Sequence, residues 1–217
     1  MKKITLTSLS IASAMTLSSA AIADTNWSGF YGGLSVGYQD ALVRDDGFTL
    51  NYFGLTGTPN PKNVTGGGFA GYNVQMPGQP VVLGTEIAFD LGGRSDSIGT
   101  NGFGASARAK VSNEKSVKGR IGYTGYAGFM PWLSAGFVAA STNYAVNIVP
   151  GPFVGNHGTQ TDLGITGGIG VDYSFYGPVF ARVSYSYSHL GNRNFVRDQP
   201  GESFDLHDFK LGVGYKF

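Results

Sequence analysis

From Phe30 onward the chain alternates apolar residues with small or polar ones, and this period of two recurs in eight segments. Successive side chains of a β-strand point to opposite faces, so each segment predicts a strand with one apolar face. In "FYGGLSVGYQ" Phe30, Leu34, Val36 and Tyr38 share one parity, and Tyr31, Gly33, Ser35, Gly37 and Gln39 the other. "NVTGGGFAGYNVQM" sets Val64, Ala70, Tyr72, Val74 and Met76 against Asn63, Thr65, Asn73 and Gln75. "VVLGTEIAFDLG" sets Val81, Leu83, Ile87, Phe89 and Leu91 against Glu86 and Asp90, and "SVKGRIGYT" sets Val117, Ile121 and Tyr123 against Lys118, Arg120 and Thr124. "PWLSAGFVAAS" is less sharp, because Trp132 and Val138 fall opposite the row of Leu133, Ala135, Phe137 and Ala139. The sixth segment, "TDLGITGGIGVDYSF", opposes Leu163, Ile165, Ile169, Val171, Tyr173 and Phe175 to Asp162, Thr166, Asp172 and Ser174. "VFARVSYSYSH" places Val179, Ala181, Val183, Tyr185 and Tyr187 opposite Arg182, Ser184, Ser186 and Ser188. The eighth, "FKLGVGYKF", places Phe209, Leu211, Val213, Tyr215 and Phe217 opposite Lys210, Gly212, Gly214 and Lys216.

The connections alternate in length. "PGQP", "GYAG" and "YGP" join strands two to three, four to five and six to seven, and all are tight-turn material. Residues 40–62, 93–110, 143–160 and 191–203 form long, polar connections. Long connections therefore fall at one end of the strands and short ones at the other, with both termini at the short-turn end.

The first residues, "MKKITLTSLSIASAMTLSSAAIA", combine a basic start, a short apolar middle and an Ala21-Ile22-Ala23 cleavage site, which predicts a secretory signal peptide over 1–23 and the mature protein over 24–217. The apolar stretch is shorter than the ~18 residues of a spanning helix, and no later segment reaches that length. Removing those 23 residues, which hold two of the fifteen Lys and Arg and no acid, leaves 194 residues with a formal charge of −1. That balance gives no electrostatic case for a nucleic-acid partner. Cysteine is absent, which removes disulfides and thiolate metal sites. Glycine, at 35 of 217 residues, is over twice the average share of about 7%.

An exported chain with an even number of strands of roughly 9–11 residues, apolar on one face, fits a closed transmembrane barrel. Hydrocarbon offers a backbone no partners, so a sheet within it must close on itself. The rival is a water-soluble barrel with its apolar face inward. Eight strands leave an interior only just filled by side chains, and the Tyr, Phe, Ile and Leu rows would overfill it. A slip of one residue would instead put Lys118 and Arg120 into lipid at up to ~2–4 kcal/mol each. The fold class is thus all-β, an eight-stranded antiparallel up-and-down transmembrane barrel. Trp27, Phe30, Tyr123, Tyr126, Phe129, Trp132, Tyr173, Phe175, Tyr176, Tyr215 and Phe217 gather near the short turns and are expected to form an interfacial girdle.

"NWSGFYGGLSVGY", "GGGFAGYNVQ", "KGRIGY" and the terminal "FKLGVGYKF" resemble the small outer-membrane β-barrel proteins of Gram-negative bacteria, the porin-family or surface-antigen group related to the outer-membrane-protein-A transmembrane domain. The likeness runs over essentially the whole mature chain. It implies location in the outer membrane, contact with its lipids including lipopolysaccharide, and recognition by the outer-membrane assembly machinery. Phe209, Leu211, Val213, Tyr215 and Phe217 match the C-terminal assembly signal of the group. No peptidoglycan-binding domain is expected after the last strand.

Ten charges fall on the inward parity: Glu86, Asp90, Asp162, Asp172 and Asp208 against Lys118, Arg120, Arg182, Lys210 and Lys216. Counted from the short turns, Glu86, Arg120, Asp172 and Arg182 stand at similar heights, which predicts an interior salt-bridge layer that plugs the barrel. The glycine run "GITGGIG" has no helix after it and is no dinucleotide loop. His157 is expected in the third long loop, and His189 and His207 at the tops of strands seven and eight with Asp205 and Asp208 beside His207. Ser188 adjoins His189, but neighbouring strand residues face opposite ways, so no Ser-His-acid set is oriented. No catalytic, metal or cofactor site is predicted. The expected role is that of a monomeric structural barrel that maintains the envelope and presents loops to a host or phage ligand. The alternatives are a narrow diffusion pore for small solutes and, more distantly, a lipid A-modifying enzyme.

Overall fold

The computed structural model describes residues 26–44, 62–99, 106–147, 154–193 and 202–217. Among them are eight strands: β1 (Gly29–Arg44), β2 (Lys62–Gln75), β3 (Val81–Gly99), β4 (Ser106–Tyr123), β5 (Phe129–Asn147), β6 (Val154–Tyr176), β7 (Val179–Arg193) and β8 (Glu202–Lys216). Each pairs antiparallel with the next, and β1 pairs with β8 from Tyr31↔Lys216 to Arg44↔Ser203, closing the barrel. Among the described residues no strand edge is left unpaired within the apolar belt, as hydrocarbon requires.

The alternation in the sequence becomes the two faces of the wall. Leu34, Ile87, Val117, Phe137, Ile165, Ile169, Leu211 and Val213 all face outward, and Phe137 is 73% exposed. On the inward parity Gln39, Asp90, Arg120, Asp172, Arg182 and Asp208 are buried. A water-soluble protein would not expose so continuous an apolar surface. Read as a lipid-facing belt, it is the surface that burial in a bilayer favours, at about 25 cal/mol per Å².

The short turns behave as their composition predicts. Gly78 and Gly177 take positive φ, 72° and 60°, in the β2–β3 and β6–β7 turns, where a side chain would be strained.

Two expectations are corrected. The strands run from 14 to 23 residues, well beyond the 9–11 predicted. At about 3.3 Å per residue, a 23-residue strand is roughly 75 Å of chain, far more than an apolar band of about 25 Å needs even at a 45° tilt. Hairpins β3–β4 and β5–β6 therefore continue past the belt, with Gly99↔Ser106 and Asn147↔Val154 as their last pairs. Backbone pairing needs no apolar face, so a reading based on apolar alternation stops at the lipid edge while the ladder goes on. His157 accordingly lies in β6, opposite Tyr144, and not in a loop. Most of the first and fourth long connections, and the predicted signal peptide, lie outside the described residues.

Trp27 and Trp132 also leave the predicted girdle. They are 2% and 5% exposed, and join Tyr31, Phe69, Val82, Met130 and Phe180 in an apolar cluster inside the barrel near the short turns. Trp132 shares the inward parity of β5 with Met130 and Val138, so geometry overrides the preference of Trp for an interface. Phe30, Tyr123, Tyr126, Phe175, Tyr215 and Phe217 do face outward. Tyr123 packs edge-to-face with Tyr126, centroids 5.8 Å apart, and Tyr215 likewise with Phe217 at 5.2 Å.

Ile169, midway along the outward row of β6, tests the assignment of faces. Ile169→Arg should cost about 2–4 kcal/mol of unfolding free energy in vesicles. Urea titration of the folded barrel measures it, and a loss under 0.5 kcal/mol, the order of an ordinary exposed substitution, would contradict a lipid-facing position.

Candidate functional site

Four strands bring the charged layer together. Glu86 projects inward from β3, Arg120 from β4, Asp172 from β6 and Arg182 from β7, each on the parity opposite the apolar row. Register sets two of the neighbours directly, since Asp172 pairs with Arg182 and Glu86 with Lys118. Arg120 meets Glu86 diagonally on the adjacent strand, while Arg120 to Asp172 and Arg182 to Glu86 reach across the lumen. Arg120 Nη1 lies 3.1 Å from Glu86 Oε2, and Arg120 Nη2 2.8 Å from Asp172 Oδ2. Arg182 reaches Glu86 Oε2 through Nη1 at 2.6 Å, and grips Asp172 with Nε at 2.7 Å and Nη2 at 2.9 Å.

Two guanidiniums thus stand between two carboxylates, and the layer is neutral. The paired fork of Arg182 on Asp172 is the strong, directional form of such contacts. Placing four charges out of water costs several kcal/mol per ion, which only close pairing and added hydrogen bonds can offset. Tyr31 and Trp132 supply those bonds: Tyr31 Oη donates to Glu86 Oε2 at 2.9 Å, Arg120 Nη1 donates to Tyr31 Oη at 2.9 Å, and Trp132 Nε1 donates to Asp172 Oδ1 at 2.9 Å. The guanidinium carbons sit over aromatic faces, Arg182 4.0 Å from the Phe69 centroid and Arg120 4.5 Å from that of Trp132.

Sequence reasoning counted the charges and overlooked these rings. The signal was present: Tyr31, Phe69 and Phe180 stand on rows made mostly of small and polar residues, and Trp132 stands opposite the apolar row of its segment. The glycines explain how the rings fit. A Cβ on Gly170 would run into the Trp132 ring, one on Gly71 into Tyr31, and one on Gly214 into Phe180. Each of these glycines is the register partner of the ring, so glycine on one strand clears the space that an aromatic from the adjacent strand fills.

Above this layer, toward the long connections, a second set of charges is looser. Lys210 Nζ lies 2.6 Å from Asp90 Oδ2 and 3.9 Å from Asp208 Oδ2, and Lys118 Nζ lies 3.9 Å from Glu86 Oε1. Gln39 Nε2 donates to Glu114 Oε2 at 3.2 Å. Glu114, absent from the charges read in the sequence, continues the inward parity of Arg120 and Lys118 by two more steps. Asp162 is buried on the inward face of β6, and Lys216 closes the short-turn end with Nζ 4.4 Å from the Trp27 ring centroid. Between the two charged tiers lies a chamber of about 30 Å³, bordered by Ser35, Glu86, Asp90, Lys118 and Lys210. That is room for about two waters.

The histidines point elsewhere. His189 Nδ1 lies 2.7 Å from Asp205 Oδ1 and Tyr187 Oη donates to the same oxygen at 2.8 Å, all on the outward face. Tyr185 Oη lies 2.7 Å from His207 Nδ1. Ser188 faces the lumen, where its Oγ donates to Thr166 Oγ1 at 2.9 Å. Ser188 and His189 thus stand on opposite sides of the wall. Asp208, expected beside His207, is also on the lumen side. Among the described residues no group of three His, Cys, Asp or Glu is placed to hold a metal ion.

The charged layer makes a quantitative test. Asp172→Ala leaves two buried guanidiniums short of a partner and should cost about 3–5 kcal/mol of unfolding free energy. Urea unfolding in vesicles reads this, and a cost below 1 kcal/mol would mean that the layer is hydrated and loosely held.

Comparison with known proteins places this geometry among relatives. A family model described as the outer membrane protein beta-barrel domain matches residues 9–217. The 31 kDa outer-membrane immunogenic protein of Brucella melitensis is 29% identical over 212 residues, covering 91% of this chain and 87% of that protein. The 25 kDa outer-membrane immunogenic protein of the same organism is 28% identical over 200 residues, covering 88% and 80%. Among solved structures, Neisserial surface protein A superposes with a TM-score of 0.50 at 16% identity, over 88% of this chain and 98% of that one, a likeness of fold.

Proposed function

The chain belongs to the outer-membrane β-barrel family, and within it we propose that this protein is a sealed structural barrel, maintaining the envelope and presenting its long connections at the cell surface. The observation that carries this reading is the filled lumen. Arg120 and Arg182 bridge Glu86 and Asp172 across it. Trp27, Tyr31, Phe69, Val82, Met130, Trp132 and Phe180 fill the section toward the short turns. A hydrated solute crossing would have to part buried ion pairs and displace close-packed rings together, and both carry their full desolvation cost.

Family and topology support an orientation with the short turns in the periplasm and the long connections outside. The Brucella relatives are named as immunogenic proteins, which supports surface display. Recognition of a host or phage ligand by those connections is part of the same reading, as is a monomer, since closure leaves no edge within the belt for a second copy. No step of this function calls on a cofactor or a catalytic group.

Planar-bilayer recording decides between the sealed barrel and a narrow diffusion pore. The purified protein should give no stable unitary conductance, and Arg182→Ala with Asp172→Ala should open one. Stable, large conductance from the unaltered protein would overturn the sealed reading.

The outward row of β8, Phe209, Leu211, Val213, Tyr215 and Phe217, we assign to recognition by the assembly machinery as well as to the belt. Phe217 is 80% exposed and its amide donates to Phe30 O at 2.8 Å. Removing it should lower the amount of folded barrel in the outer membrane several-fold, with little change in the unfolding free energy of the protein refolded in vitro. Cell-surface labelling beside urea titration measures the two, and normal surface levels would refute the assignment.

A further inference from the structure

We propose that the outer face of β3–β6 holds a lipopolysaccharide molecule, with an acyl chain in an apolar groove and phosphate on Lys115 and Lys110. The inference rests on the orientation given above, which puts the long-connection end in the outer leaflet.

The groove is a depression of about 370 Å³ on the lipid side of the wall, bordered by Ile87, Phe89, Val117, Phe137 and Leu163. Its origin lies in the register. Phe89, Lys115, Ala139 and Leu163 form one row across four strands, paired Phe89↔Lys115, Lys115↔Ala139 and Ala139↔Leu163. The row below it holds Ile87, Val117 and Phe137, all large. Ala139 is the small residue among them, and the wall is hollow there. A hydrocarbon chain lying against the barrel gains contact in that hollow that a flat wall would not give.

That row is also the edge of the belt. Above it the outward side chains turn polar on β5 and β6, with Thr161 exposed and Ser141 half-buried, while Leu91 carries the apolar row one step further on β3. Lys115 is exposed on this edge, and Lys110 is exposed higher on the same strand, in register with Ser95 and Asn143. Regular alternation puts Glu114 in the lumen, where it meets Gln39, and Lys115 outside, and the bulge with Asn113 at φ 53° follows directly beyond them. Among the described residues neither Lys115 nor Lys110 is in an ion pair, whereas Lys62, on β2, is held by Asp40 at 3.0 Å. Two cations above an apolar groove, at the depth of the headgroups, complement a glycolipid that carries phosphate over acyl chains. The β7–β8 face offers Asp205 with Tyr187 and His189 there, a carboxylate that would repel the same anion.

The test is binding of deep-rough lipopolysaccharide to the folded barrel in detergent, followed by native mass spectrometry, with heat-modifiable gel migration as the check of folding. Lys115→Glu with Lys110→Glu should weaken binding at least ten-fold, Ala139→Phe several-fold, and Lys62→Glu not at all. Lipopolysaccharide stripped of phosphate should bind the unaltered barrel as weakly as the double variant does, a comparison that needs no variant to fold. Phosphatidylglycerol should bind at least ten-fold more weakly than lipopolysaccharide. Equal binding by the double variant, by the dephosphorylated lipid or by phosphatidylglycerol would overturn the proposal, as would an equal loss in Lys62→Glu. Conductance is read on the same preparations: a barrel that conducts yet loses the lipid on Lys115→Glu and Lys110→Glu sinks the sealed reading and keeps this site.

Discussion

A peptide group in hydrocarbon can bond only to another peptide group, and nearly every other feature of this chain depends on that constraint. An unsatisfied amide or carbonyl costs several kcal/mol in such a medium. The pairing of β1 with β8 removes the last free edge. Closure then divides the residues by parity, because odd and even positions on one strand cannot share a face. One row answers to lipid, the other to a lumen that eight strands make only wide enough for side chains. Composition follows from the division: large apolar residues outside, and inside a mixture of glycine, serine, charge and a few rings chosen to fill a fixed volume.

Inside, the charged layer and the aromatic cluster depend on one another. Arg182 without Asp172 and Glu86 would be a buried cation beside Phe69 and Phe180, and the carboxylates without Tyr31 and Trp132 would lack the donors that complete their bonding. Burial makes each pair strong and makes each orphan expensive. The glycines belong to the same arrangement. Gly71 and Gly170 face Tyr31 and Trp132, so the rings lie where their polar atoms meet Glu86 and Asp172. The high glycine content read from the sequence is thus the complement of the inward aromatics.

The sequence carried the fold in the form most directly tied to lipid. Outward rows such as Leu163, Ile165 and Ile169, or Leu211 and Val213, assigned both strand and face, and the turns at Gly78 and Gly177 separated them. Glu86, Arg120, Asp172 and Arg182 were legible as inward charges at similar height, because distance from a short turn sets height on every strand. What escaped was set by contacts that cross the lumen. Trp132 and Trp27 read as interfacial residues by type, although Trp132 stands opposite the apolar row of its segment, and the structure turns both inward. The strand extensions escaped for a different reason: beyond the belt both faces meet water, so no alternation marks a ladder that its backbone bonds sustain. Glu114 shows a milder case, being on the right parity but past the point where the apolar row had seemed to end.

The division by parity also makes the two faces separable. The outward row determines whether the chain enters the membrane and which lipids rest against it. The inward row determines whether anything passes. Their only physical link is the shared backbone, and a substitution on one face leaves the register of the other intact so long as the ladder holds. Where the two do meet is at the bulges, such as that between Ser112 and Lys115, which inserts one extra residue into β4. There one strand supplies Glu114 to the lumen and Lys115 to the lipid edge in consecutive positions, so the place where pairing is least regular is also where the wall offers charge to both sides. The apolar belt ends there because a cation can stand at that depth only where headgroups or water reach it. The same bulge therefore marks the height of the membrane surface on β4.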